Sequence, residues 1–216
     1  MRARFDRQLD ELNEQMTRMG MLCETAIERS SEALLNHDIS MAESVRKLQE
    51  QIGEMHRDIE NRCFRLLMQQ QPVARDLRTI SSALKMVTDM GRIGVQSGEI
   101  AEIVTMDAIR SVDPELPIRD MAQSTIRMVT RSLDAFVRKD VDMARKVIND
   151  DDEVDSYFNQ VKKKLIEEIR TTEEDGAMVL DLLMIAKYLE RIGDHAVNIA
   201  EWVAYSVTGE MEGLDI

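Results

Sequence analysis

Two pairs of carboxylates in the second half of this 216-residue chain have spacing that could do chemistry: Asp151 with Asp155, and Glu190 with Asp194. Each pair is four residues apart, so on a helix both members share one face. The first pair belongs to a dense acidic run, Asp150-Asp151-Asp152-Glu153-Val154-Asp155. Hard oxygen donors without a Cys or His cluster beside them suit magnesium, manganese, calcium or iron better than a structural zinc site. The candidate metal ligands are therefore Asp151, Asp155, Glu190 and Asp194. Acidic stripes also occur as plain solvated helix faces, so spacing alone leaves both readings open.

His195, next to Asp194, is either a further ligand or a structural residue; a lone histidine on a helix shoulder is more often structural. A ferritin-like di-iron protein carries Glu-x-x-His on two helices. Here the residues three before His37, His56 and His195 are Leu34, Gly53 and Ile192, which excludes that class. The chain has no nucleophile elbow, no glycine-rich phosphate loop after a strand and no Ser/His/Asp set, so it is not expected to be an enzyme.

An internal repeat gives the carboxylates their weight. Arg92-Ile93-Gly94 recurs as Arg191-Ile192-Gly193, and Glu99-Ile100-Ala101-Glu102 is echoed by Asn198-Ile199-Ala200-Glu201, both 99 residues on. In the first copy Gly91 and Val95 occupy the places of Glu190 and Asp194. Aligning Ala42, Val45 and Ile52 with Ala144, Val147 and Val154, at an offset of 102, sets Gln49 and Gly53 opposite Asp151 and Asp155. All four candidate positions are acidic in one half and uncharged in the other. Loss of a shared ligand set explains that pattern better than scattered surface substitution.

A repeat of this length exceeds solenoid units of roughly 20 to 50 residues, and it fits duplication of a small domain of about 100. Residues 1–110 and 111–216 are the expected halves, with the metal motifs degenerate in the first and retained in the second. Hydrophobic residues make up 44%, enough for a core, while aromatics are only 4% and prolines three. An excess of Leu, Met, Ala, Glu and Arg favours helix throughout. The net charge of −13 argues against nucleic acid as partner, since binding it depends on Lys and Arg neutralising phosphates. Cys23 and Cys63 fall at apolar helix positions and read as reduced core thiols. No apolar run approaches the ~20 residues of a membrane span. Met1-Arg2-Ala3-Arg4-Phe5-Asp6 lacks a signal-peptide core. A cytoplasmic protein, able to dock peripherally on a membrane protein, is expected.

Apolar residues spaced three and four apart define the elements that must position these carboxylates. Phe5 through Ala33 form one stripe, Met41 through Leu66 a second, and a third runs to about Arg110. Ile118 through Ala135, Met143 through Ile169 and Leu182 through Val203 form three more. Breaks are expected near residues 37, 71, 112, 139 and 171, the last followed by a capped start at Thr171-Thr172-Glu173-Glu174. The predicted fold is all-α: six long antiparallel helices in two tandem three-helix bundles. Gly91, Gly94, Gly98 and Gly193 lie inside helices, where they predict close helix contacts. On helix six Glu190 lies at the edge of the apolar face and Asp194 one step further round.

The segments Asp76-Leu77-Arg78-Thr79-Ile80, Leu84-Lys85, Asp89 and Arg92-Ile93-Gly94, with Ala186-Lys187, Glu190-Arg191-Ile192-Gly193-Asp194-His195-Ala196 and Asn198-Ile199-Ala200-Glu201, closely resemble the PhoU family of phosphate-transport accessory proteins. The resemblance spans nearly the whole chain. It implies a cytoplasmic, homodimeric, metal-binding adaptor between the phosphate ABC transporter ATPase and a sensor histidine kinase, acting as a negative regulator of the phosphate-starvation response. The family's E/D-x-x-x-D metal motifs match here at Asp151/Asp155 and Glu190/Asp194. They fail at Gln49, Gly53, Gly91 and Val95. Iron, manganese, magnesium and zinc are the candidate ions. The other function class is a metal-storage or buffering protein with no signalling partner.

Overall fold

The computed structural model describes residues 2–70, 72–106, 109, 112–171 and 176–210. They form six helices: α1 Arg2–Asn36, α2 Ile39–Gln70, α3 Ala74–Thr105, α4 Ile118–Arg138, α5 Val141–Thr171 and α6 Gly176–Thr208. Within each half every helix packs on the other two, and the halves join along α3 against α6 and α1 against α4. The two three-helix bundles thus share one continuous core.

The duplication is visible at the level of single turns. α1 and α4 both end on a non-glycine residue in the left-handed conformation, His37 with φ 53° and Lys139 with φ 55°, 102 residues apart. The following Asp38 and Asp140 donate their N–H to the carbonyls of Ala33 (2.9 Å) and Ala135 (3.0 Å), the long hydrogen bond that closes a helix C-terminus. The side chains of the same two aspartates then cap α2 and α5, accepting from Met41 N and Met143 N at 2.9 Å each. One Asp in each half therefore stops one helix and starts the next. The α2–α3 and α5–α6 junctions include residues 71 and 172–175, and the predicted capped start after Thr171 lies outside the described residues.

The predicted core stripes are buried, from Leu12 and Met16 through Ile52 and Ile59 to Leu189 and Ile192. Cys23 and Cys63 are buried free thiols. The Cys23 thiol reaches the Met90 carbonyl at 3.3 Å. Burial pushes both thiols up in pKa, Cys63 to about 12, so neither is a ready nucleophile.

Two expectations need correction. α3 ends at Thr105 rather than near Arg110, and Met106 is already 62% exposed. Ile169 does not belong to the core stripe of α5, where it is 59% exposed. The cause is the length of α4, 21 residues against 35 for α1. In the first half the early turns of α1 cover the far end of α2, with Phe5 buried and Glu11 paired to Arg62. α4 begins only at Ile118, and Lys164 of α5 already reaches Glu115 in the linker before it. Beyond Leu165, residues 166–170 of α5 are exposed or half-buried.

Candidate metal centre

Glycines set how closely α2 and α3 approach. A Cβ on Gly94 would come 2.8 Å from Ile52 Cγ2, and one on Gly98 only 2.3 Å from Gln49 Oε1. The equivalent contact in the second half is looser: a Cβ on Gly193 would meet Asp151 Oδ1 and Val154 Cγ1 at 3.5 Å each, ordinary van der Waals spacing. That geometry locates the Asp151 carboxyl. It lies across α6 at Gly193, between Glu190 and Asp194 in sequence.

The four sequence-predicted carboxylates share this α5–α6 groove. Asp151 is half-buried, and its pKa is pushed up to about 6, first by burial and then by the charges of Asp155, Asp194, Asp152 and Glu190. Asp194 is raised as well, by burial and by Glu190 and Asp155, with Lys187 and His195 opposing. Its side chain reaches solvent, as does that of Asp155, whereas Glu190 is half-buried. This agrees with the helical wheel, which puts Asp194 further from the core face than Glu190.

Lys187, one turn before Glu190, supplies the local counter-charge. Its Nζ donates to Glu190 Oε1 at 2.5 Å and lies in ion-pair contact with Oε2, while the same ammonium sits 5.3 Å from the centre of the Phe158 ring. Glu190 Oε2 is buried, with the Lys187 ammonium as its ion-pair partner. The donor chemistry fits a hard di- or trivalent cation: four carboxylates offering oxygen donors only, one of them raised to a pKa of about 6 by burial and by the other acids. Among the described residues no three His, Cys, Asp or Glu side chains converge into a ready-made ligand cage. Holding an ion therefore requires the exposed Asp155 and Asp194 to turn inward.

His195 points elsewhere. Its Nδ1 lies 2.8 Å from Asp89 Oδ1 on α3, and Asn198 Nδ2 donates to the same oxygen at 3.1 Å. Tyr188 of α6 donates to Glu99 of α3 at 3.4 Å. Residues 89 and 99 of α3 correspond through the repeat to 188 and 198 of α6, so the two contacts are pseudo-symmetric copies across the seam between the halves. His195 is a structural connector. Sequence reasoning singled out Asp89 and Asn198 as motif residues but had no signal that they meet, because the pairing spans 109 positions.

Comparison with known proteins agrees with this architecture. The PhoU domain family matches the chain twice, over residues 16–104 and 118–203. A phosphate-specific transport system accessory protein PhoU homolog from Clostridium acetobutylicum is 35% identical over 213 residues, covering 98% of this chain and 97% of that one. The homolog from Pseudomonas aeruginosa is 34% identical over 95% of this chain and 86% of its own. The crystal structure of PhoU from Pseudomonas aeruginosa superposes with a TM-score of 0.91 at 34% identity, covering 95% of this chain and 100% of that chain. The phosphate transport system regulatory protein PhoU from Streptococcus pneumoniae gives 0.90 at 28% identity, covering 97% and 100%. Matched in both halves, and covering these relatives nearly end to end, the chain belongs to the PhoU family.

Proposed function

We propose that this chain is an accessory protein of phosphate-specific transport that restrains phosphate uptake and starvation signalling when phosphate is plentiful. In this reading it works in the cytoplasm as a homodimeric adaptor, contacting the phosphate ABC transporter ATPase and a sensor histidine kinase. The observation that carries the reading is the near full-length match to proteins named as phosphate-transport accessories. No helix among the described residues is long and apolar enough to cross a membrane, which suits an accessory that docks on a membrane-embedded transporter. An adaptor needs surfaces rather than a reaction centre, and the residues that could do chemistry here are ligands.

The proposed ligand set is Asp151 and Asp155 from α5 with Glu190 and Asp194 from α6. When bound, a metal cation supplies the positive charge that four crowded carboxylates otherwise obtain only from protons and Lys187. Lys187 holds Glu190 in place, and Gly193 leaves the space over α6 into which Asp151 projects. The alternative, a metal store or buffer without a signalling partner, draws on the acidic excess of 41 Asp and Glu over 28 Lys and Arg.

Deletion of the gene separates the two. The adaptor reading requires phosphate-starvation genes to stay expressed in high phosphate and affinity capture to recover the transporter ATPase or the kinase. Normal repression in the deletion strain, with high metal stoichiometry and no partner, favours the buffer.

A further inference from the structure

The first-half counterparts of the four carboxylates, Gln49, Gly53, Gly91 and Val95, all line one open cavity of about 610 Å³ between α2 and α3. The change from the other half is more than a loss of acids. Arg46 and Arg57 line the cavity at positions where the second half has Ile148 and Asn159, and Arg92 lines it from α3. The acids in its wall are Glu50 and Glu54; Glu50 lies 3.7 Å from Arg46, with both side chains largely exposed. Such an exposed pair binds weakly. The cavity wall therefore carries one net positive charge in a chain of net charge −13, where the matching groove carries a carboxylate cluster.

Two further features shape the space. A Cβ on Gly53 would meet nothing nearer than Arg57 Nη1 at 3.9 Å, so the glycine bares the α2 surface beside that guanidinium. His56 closes the wall against Gly91, whose Cβ would stand 2.9 Å from Nδ1, and its buried Nε2 makes no hydrogen bond, with Glu60 at 3.6 Å. Arg46 and Arg57 are eleven residues apart, roughly 16 Å along the helix at 1.5 Å per residue. Guanidinium groups are donor-only forks matched to phosphoryl oxygens. Guanidinium forks carried on backbone positions that far apart leave room for more than one phosphoryl group between them.

We propose that the first half has exchanged its cation site for an anion site, and that this cavity binds a small multiply phosphorylated anion between Arg57, Arg92 and Arg46. The inference depends on the repeat and on the first half, and it stands whether or not the carboxylate groove holds metal.

Titration calorimetry of the full-length protein as purified, at low salt with sodium tripolyphosphate as probe, tests it. Saturable binding near one per chain is expected, with orthophosphate weaker. Arg57→Gln should weaken tripolyphosphate binding about tenfold or more. Gly53→Asp, which restores the second half's acid in space that accepts it, should do the same. Asp194→Asn should leave the affinity unchanged. The proposal is overturned by an absence of saturable binding, by orthophosphate binding as tightly as the longer probe, or by both first-half variants binding like wild type. Loss of binding in Asp194→Asn also overturns it, since the anion would then sit in the other half.

Discussion

At Asp151, burial against α6 and the surrounding acids raise the carboxyl pKa to about 6 from an ordinary value near 4. The fold thus favours the protonated form, so the associated stability is fully present below about pH 4 and is lost as pH rises through about 6. Asp151 is only half-buried, and after solvent screening the penalty in metal-free protein is on the order of 1 kcal/mol. Metal-free Asp151→Asn should therefore melt about 2–4 °C above wild type at pH 7.5, with the difference closing towards pH 4. Added metal should reverse the order, because the wild type then gains a ligand. A variant that melts no higher than wild type at pH 7.5 would show that the carboxylates do not strain one another. Periodicity and repeat comparison were enough to choose these four residues. They did not reveal Lys187 as the partner of Glu190, since a lysine three residues before a glutamate is common on any solvated helix.

Between elements, the two halves predict opposite responses to the same change. Gly94→Ala drives a methyl to within 2.8 Å of the branched Ile52 side chain and should cost about 1–3 kcal/mol. Gly193→Ala meets its neighbours at 3.5 Å and should be neutral or stabilising by up to ~1 kcal/mol through helix propensity. Denaturant unfolding of both variants checks this, and equal destabilisation would contradict the difference in helix approach. Asp89→Ala leaves His195 and Asn198 without their shared acceptor across the α3–α6 seam and should cost about 1–3 kcal/mol. If His195→Ala costs just as much on the Asp89→Ala background as alone, the two residues are not coupled. The six helices, and the turns after α1 and α4, were readable in the sequence because Asn36-His37-Asp38 and Arg138-Lys139-Asp140 interrupt strong apolar stripes. The end of α3 and the exposure of Ile169 were not. The exposure of Ile169 depends on where a neighbouring helix begins: α4 starts later than α1 by about four turns.

On the scale of the whole molecule, the chain is a duplicated bundle whose halves share one core but differ in charge at equivalent grooves. Family membership follows from both halves being matched. The proposed metal site rests on the contrast between them, with Asp151, Asp155, Glu190 and Asp194 against Gln49, Gly53, Gly91 and Val95. The most direct test is the metal-to-protein ratio of purified wild type beside Asp194→Asn and Asp151→Asn, read by elemental analysis. The account predicts at least one metal ion per wild-type chain and a clear fall in both variants, with helical content retained. Metal content unchanged in both variants, or an ion located crystallographically against Gln49 and Gly91, would contradict it.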